Sequence, residues 1–143
     1  MMRQIRVTIG HLILTGTLED ERAPLTCAAF VALLPIRAKL LQARWSGQSA
    51  YVPLEDLHIR LDPENEMHRP STGQVLFYPA GLSPAEILVP YGVTAFACKS
   101  GPLSGNHFLT ITETNGLHEM GRRVVWEGAQ DITFDLVPEA AAR

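Results

Sequence analysis

The sequence predicts a mainly β protein, a β-barrel with two helices capping its ends, and three observations carry that expectation. Apolar and polar residues alternate in short runs from Ile5 onward, the period of strands that bury one face. Gly and Pro divide these runs at short intervals, a spacing that fits a barrel or a sandwich. Two segments switch instead to helical spacing.

Ile5, Val7 and Ile9 alternate with Arg6 and Thr8, and after Gly10 the pattern resumes from Leu12 to Leu18, so the chain opens on a hairpin. Glu19 to Arg22 is a polar connection. Pro24 suits the first turn of a helix, where its missing N–H costs nothing, and Pro35 stops that helix. Cys27, Phe30, Val31 and Leu34 fall at i, i+3, i+4 and i+7, one apolar face that puts Cys27 in the core. Residues 37 to 45 return to strand alternation, and Ala50 to Leu54 make a short strand. Asp56 to Thr72 is rich in charge and Pro and reads as a surface loop, the most dispensable stretch of the chain. Four short strands follow: Gln74 to Tyr78, Glu86 to Val89, Thr94 to Cys98 and His107 to Thr112. Leu117, Met120, Val124 and Val125 have helical spacing, and Ile132, Phe134 and Leu136 alternate as a closing strand.

At 143 residues and 46% apolar, the chain is expected to be one domain, 1–143, able to bury a core without metal or disulfide help. A net charge of -3 with scattered Lys and Arg offers no stripe for a phosphate backbone, so nucleic acid is not an expected partner. No run approaches the ~20 apolar residues of a membrane-spanning helix, and Met1 to Gly16 holds no long apolar stretch. Cys27 and Cys98 are far apart and flanked by apolar residues, which suits a reducing compartment; the expected location is the cytoplasm. His118-Glu119 begins like a zinc-protease helix, but Arg122 stands where the second His is needed. With no ligand-spaced His or Cys, no Walker or dinucleotide glycine pattern and no G-x-S-x-G elbow, neither a metal, a cofactor nor serine hydrolysis is expected.

Two stretches carry a resemblance. Gly10 to Phe30 runs G-H-L-I-L-T-G-T-L-E-D-E-R-A-P-L-T-C-A-A-F, and Cys98 to Thr112 runs C-K-S-G-P-L-S-G-N-H-F-L-T-I-T. They resemble the A-P-x-T-x-x-x-F helix start and the A-G-P-x-x-N-G-S-Q-F-F-I-T-like loop and strand of cyclophilins. Ala43-Arg44-Trp45-Ser46-Gly47, Tyr78-Pro79-Ala80-Gly81 and Ser104-Gly105-Asn106-His107-Phe108 resemble A-R-W-S-G, Y-P-x-G and A-G-N-H-F segments of the DUF3830 family, small uncharacterised prokaryotic proteins with a cyclophilin-like barrel. The resemblance covers roughly residues 5 to 137 and implies a closed, cyclophilin-like barrel.

Arg44 lies near the place of the cyclophilin arginine that contacts a substrate carbonyl, and a guanidinium on a rigid strand is a fork-shaped donor to a carbonyl or carboxylate. The alternative is a solvent-facing charge paired with Glu86. Gln42-Ala43 replaces the Phe-His that precedes the arginine in cyclophilins, and the P-G-F-M-x-Q-G-G segment is missing. Aligned on Gly105, S-Q-F-F becomes Asn106-His107-Phe108-Leu109, so Leu109 stands where a ring should pack on proline. His107 is either a donor or general base near neutral pH or a histidine that ties down its loop. Tyr78 and Glu86 bracket a loop of the kind that lines sites at barrel mouths, or one that only turns the chain; Tyr91 is a weaker addition.

The expected function is binding of a small polar or anionic metabolite in a surface pocket built from Arg44, Trp45, Tyr78, Glu86, Asn106 and His107. The alternatives are a weak peptidyl-prolyl isomerase and a small enzyme or subunit acting on amide-like substrates. Self-association into a homo-oligomer is expected because the Tyr51-Val52-Pro53-Leu54 strand would otherwise leave an uncovered edge.

Overall fold

The N-terminal alternation pairs with itself across Gly10, whose φ of +62° makes the tight reversal that glycine accepts without strain. In the computed structural model, which describes residues 2–138, the elements run β1 (Gln4–Ile9), β2 (Leu12–Leu18), α1 (Pro24–Ala32), β3 (Ile36–Gln42), β4 (Gly47–Pro53), β5 (Glu66–Met67), β6 (Gln74–Tyr78), β7 (Glu86–Thr94), β8 (Ala97–Cys98), β9 (Gly101–Pro102), β10 (Gly105–Ile111), α2 (Thr114–Trp126) and β11 (Gln130–Leu136).

Eight strands pair antiparallel in the order β2-β1-β11-β3-β4-β7-β6-β10, and β10 returns to β2 through Leu109↔Leu18, Thr110↔Thr17 and Ile111↔Gly16. The sheet therefore closes into an eight-stranded antiparallel barrel. The short β5 attaches to β10, and β8 and β9 form a separate small hairpin. No helix among the described residues is long and apolar enough to cross a membrane.

Both helices contribute to the interior. Phe30 of α1 packs at a tilt on Phe108 of β10 and edge-to-face on Phe134 of β11, at centroid distances of 4.8 and 5.6 Å, contacts that add to the burial of three large rings. From α2 come Leu117, Met120 and Val124. Val125, counted at sequence level with that apolar face, is exposed instead, because it falls one residue past the stripe that Leu117, Met120, Gly121 and Val124 define. Leu34 lies beyond the end of α1 but still packs on the core.

Cys27 is fully buried, its thiol 3.4 Å from the carbonyl of Phe108, and burial pushes it up to about 12. Neither cysteine is in a disulfide, and Cys98 is half-exposed. Native protein is therefore expected to take up one equivalent of a thiol reagent, at Cys98, and the second only on unfolding. Cys27→Ser should cost about 1–3 kcal/mol through a buried hydroxyl, read by denaturant titration.

Three expectations need correction. The segment 56–72 is not a dispensable loop. Leu57, Ile59 and Leu61 pack on the core, β5 joins the barrel, and Glu64 receives the backbone N–H groups of Leu25 and Thr26 and the Thr26 hydroxyl at 2.8–3.1 Å. This carboxylate caps α1, whose own N-cap residue, Ala23, offers no side-chain acceptor. Burial raises the Glu64 carboxyl, but the three donated bonds outweigh it and hold it below its ordinary range. Second, Thr94 to Cys98 is not one strand: β7 continues through Pro90 and Gly92 to Thr94, and the chain then turns into the β8–β9 hairpin. Third, β4 is no edge. It pairs with β3 on one side and β7 on the other, so the uncovered strand that motivated self-association does not exist there.

Candidate functional site

The register of β4, β7 and β6 builds the site. Pairs Val52↔Ile87 and Phe77↔Ile87 turn Val52, Phe77 and Ile87 into the barrel. The pleat then forces their neighbours outward: Tyr51 and Pro53 on β4, Glu86 and Leu88 on β7, Leu76 and Tyr78 on β6. Most of this outer face is itself buried. Leu76, Tyr78 and Leu88 join Ala43, Phe96 and Leu103 in a second apolar cluster, covered by the chain that runs through the β8–β9 hairpin. At one end of the cluster the cover is incomplete, and a cavity of about 310 Å³ opens beside Glu86.

Four stretches form its walls: the β3–β4 connection, the outward face of β4 at Tyr51 and Pro53 with Glu55 just past its end, the loop entering β7, and the β8–β9 hairpin. Within the β3–β4 connection each residue has a separate task. Ala43 is buried in the second cluster. Ser46 is buried and ties the connection down: its hydroxyl donates to the Ala97 carbonyl and accepts the Ala97 N–H, both at 3.1 Å, while its carbonyl receives the Ala95 N–H. Gly47 has φ +94°, and a Cβ there would sit 2.7 Å from the Val93 carbonyl oxygen. Arg44 and Trp45 do none of this. Both are exposed and line the cavity, Trp45 at 53% of its full accessibility. Arg44 stands in the bend after β3 rather than on a strand as expected, held by its neighbours' anchors.

Glu86, the first residue of β7, is half-buried and lines the cavity without a hydrogen-bond or ion-pair partner among the described residues. Burial alone raises its carboxyl to about 7. Among the described residues no fully sealed side-chain oxygen or nitrogen lacks a partner, so the Glu86 oxygens open onto the cavity. Arg44 and Glu86 thus line one cavity without forming an ion pair. The Tyr51 hydroxyl is raised first by burial and then by the nearby Glu86 charge, with Arg44 acting the other way and Glu55 adding to the rise. These charges therefore lie together around one opening.

The other expected residues stand elsewhere. Tyr78 is not a lining residue; its ring packs edge-on against Phe96, and its hydroxyl receives the Ser83 N–H at 3.4 Å, bracing the loop that enters β7. Asn106 and His107 are buried on β10, where they hold the 56–72 segment. Asn106 accepts the Glu64 N–H and donates to the Thr26 hydroxyl and the Asp62 carbonyl. His107 places Nε2 2.8 Å from the Thr110 hydroxyl, whose own proton goes to Glu19. Nε2 must therefore donate, leaving Nδ1 to accept from Asn65 at 3.3 Å. Burial lowers the His107 pKa, favouring this neutral form. With both ring nitrogens committed, it is not placed as a general base. Leu109, the residue replacing a proline-packing ring, points into the core and is fully buried. Tyr91 donates to Gln42 at 2.6 Å, away from the cavity. No group of three His, Cys, Asp or Glu among the described residues is placed to hold a metal.

Sequence reasoning missed Tyr51, Glu55, Leu82 and Lys99, which also line the cavity. Tyr51, Pro53 and Glu55 alternate along β4 and just past its end, so a period-2 count would have found them once β4 was paired with β7. Lys99 carries no local signal, since only the β8–β9 turn brings it to the cavity.

Comparison with known proteins agrees with this architecture. The family model described as Protein of unknown function (DUF3830) matches residues 6–136. No curated protein matches in sequence. Among solved structures, McbB, described in complex with tryptophan, superposes at TM-score 0.70 with 20% identity, covering 92% of this chain and 44% of its own. The hypothetical protein AF2241 from Archaeoglobus fulgidus superposes at TM-score 0.64 with 19% identity, covering 95% of each chain. This chain spans less than half of McbB, and at such identities both likenesses are of fold alone.

Proposed function

This chain belongs to the DUF3830 family of proteins of unknown function, and from that premise we propose that it is a cyclophilin-like ligand-binding member whose cavity beside Glu86 takes a small polar molecule. The observation that carries the reading is the pairing of Arg44 and Trp45, exposed and without a structural task, with a half-buried, unpartnered carboxylate across one cavity. Desolvating a carboxylate without a partner costs the fold stability. A group retained at such a cost is a functional candidate. A volume of about 310 Å³ suits a metabolite rather than a polymer. That McbB is described with tryptophan places amino acids among the first molecules to try.

The test is a thermal-shift screen of carboxylates, amides and amino acids, since a molecule that binds only the folded state raises the melting temperature. At least one stabilising compound is expected. Arg44→Lys should weaken it about tenfold or more while hardly moving the melting temperature of the free protein, because lysine keeps the charge but loses the planar fork. Equal binding by wild type, Arg44→Lys and Arg44→Ala would place the site elsewhere. Robust prolyl isomerase activity abolished by Arg44→Ala would instead favour isomerisation.

A further inference from the structure

Two cations and two carboxylates meet at this cavity: Arg44 and Lys99, Glu55 and Glu86. Of the carboxylates, Glu86 is half-buried and Glu55 exposed. A purely anionic ligand would answer Arg44 and Lys99 but bring like charge to Glu86. A purely cationic one would satisfy Glu86 and leave the two cations unanswered. Only a molecule carrying both signs matches both sides of the opening. The uncharged remainder of the wall is Trp45, Leu82, Pro53 and Pro84, with Trp45 and Leu82 exposed at 53% and 61% of full accessibility. Such a surface accepts an apolar group beside the charged ends.

Resting on the reading of this cavity as the ligand site, we propose that its ligand is a small zwitterion of the α-amino acid type, its carboxylate held by Arg44 and Lys99, its ammonium by Glu86, and its side chain against Trp45 and Leu82. Guanidinium and carboxylate form a planar two-bond pair, and an ammonium compensates the desolvation of Glu86. The titratable and charged groups facing Glu86 are Tyr51 and Glu55 from the β4 side, Tyr78 from β6, Arg44 from the β3–β4 connection, and Cys98 and Lys99 from the hairpin. None of them forms an ion pair with it. Because burial lifts the Glu86 carboxyl to about 7, it is neutral in mild acid and charged in mild base. Ammonium binding must therefore strengthen as pH rises through 7.

Isothermal titration with L-leucine and L-phenylalanine, each beside its deaminated acid (4-methylpentanoate, 3-phenylpropanoate) and decarboxylated amine (3-methylbutylamine, phenethylamine), tests this at pH 6 and pH 8. At pH 8 an amino acid should bind about tenfold or more tightly than either truncated partner. Its affinity should fall at pH 6, whereas that of the deaminated acid should hold or rise. Glu86→Gln should remove the amino acid's advantage and its pH dependence without weakening the deaminated acid. A deaminated acid that matches its amino acid and loses affinity in Arg44→Lys would overturn the zwitterion while leaving the cavity as the site. Absence of binding by every compound at millimolar concentration would overturn the zwitterion too. If the screen's stabilising compound is then insensitive to Arg44 and Glu86 substitutions, the site reading falls with it.

Discussion

Asn106→Leu is expected to destabilise the protein by about 3 kcal/mol, the largest loss among the polar positions considered. The side chain is buried, and its three bonds join β10 to α1, through Thr26, and to the 56–72 segment, through Asp62 and Glu64. Leucine has similar volume but neither accepts nor donates, so the buried Thr26 hydroxyl and the partly buried Glu64 N–H each lose a partner, and the Asp62 carbonyl is left to solvent. Glu64 would also lose part of its hold at the point where it caps α1. Denaturant titration checks the loss, and ligand binding by the folded fraction should be unchanged, because Asn106 does not line the cavity. A variant as stable as wild type but impaired in binding would return Asn106 to the site.

Glu86→Gln is expected to act in the opposite direction, stabilising the protein by about 2 kcal/mol at pH 8 while weakening ligand binding. The carboxyl rises from an ordinary 4.5 to about 7 in the folded chain. Between those values the native state binds more protons than the unfolded state, so wild-type stability must fall as pH rises from about 4.5 to 7. The full shift would be worth somewhat more, but water in the cavity screens part of it. Glutamine has no charge to desolvate, so the variant should lack this decline, and the two stability curves should converge near pH 4.5. Denaturant midpoints at half-unit pH intervals decide the matter. Stability lost on substitution at pH 8 would mean that Glu86 has a partner in the folded state. A residue whose removal helps the fold and harms binding is what a functional carboxylate should be.

How much of this was legible in the sequence depended on which physical rule each segment obeyed. The β1–β2 hairpin and β11 bury one face and solvate the other, so their alternation was plain, and Pro24 and Pro35 bracketed α1. In β6 and β7 both faces are buried, one in the barrel and one beneath the hairpin cover. Val75-Leu76-Phe77-Tyr78 and Ile87-Leu88-Val89 therefore show no alternation, and the second cluster was hidden. The 56–72 segment misled because its polar residues serve as internal hydrogen-bond partners: Glu64 and Asn65 look like solvent-facing loop residues until α1 and β10 are placed against them. Arg44 and Trp45 were singled out mainly by the resemblance and Glu86 by its place at a strand start, and the fold sets all three beside one cavity. Asn106 and His107 were singled out too, but their role is a structural one that local sequence cannot distinguish from a catalytic one.

The location of the proposed ligand site is tested most directly by amide chemical-shift perturbation on titrating ¹⁵N-labelled protein with the strongest stabilising compound from the thermal-shift screen. The cavity predicts that shifts concentrate in residues 43–46, 51–55, 82–86 and 97–100, the four stretches that line it, with residues 106–107 unmoved. Shifts centred instead on the groove of Gln48, Tyr91, His118 and Trp126, or on the Asn106–His107 network, would contradict it.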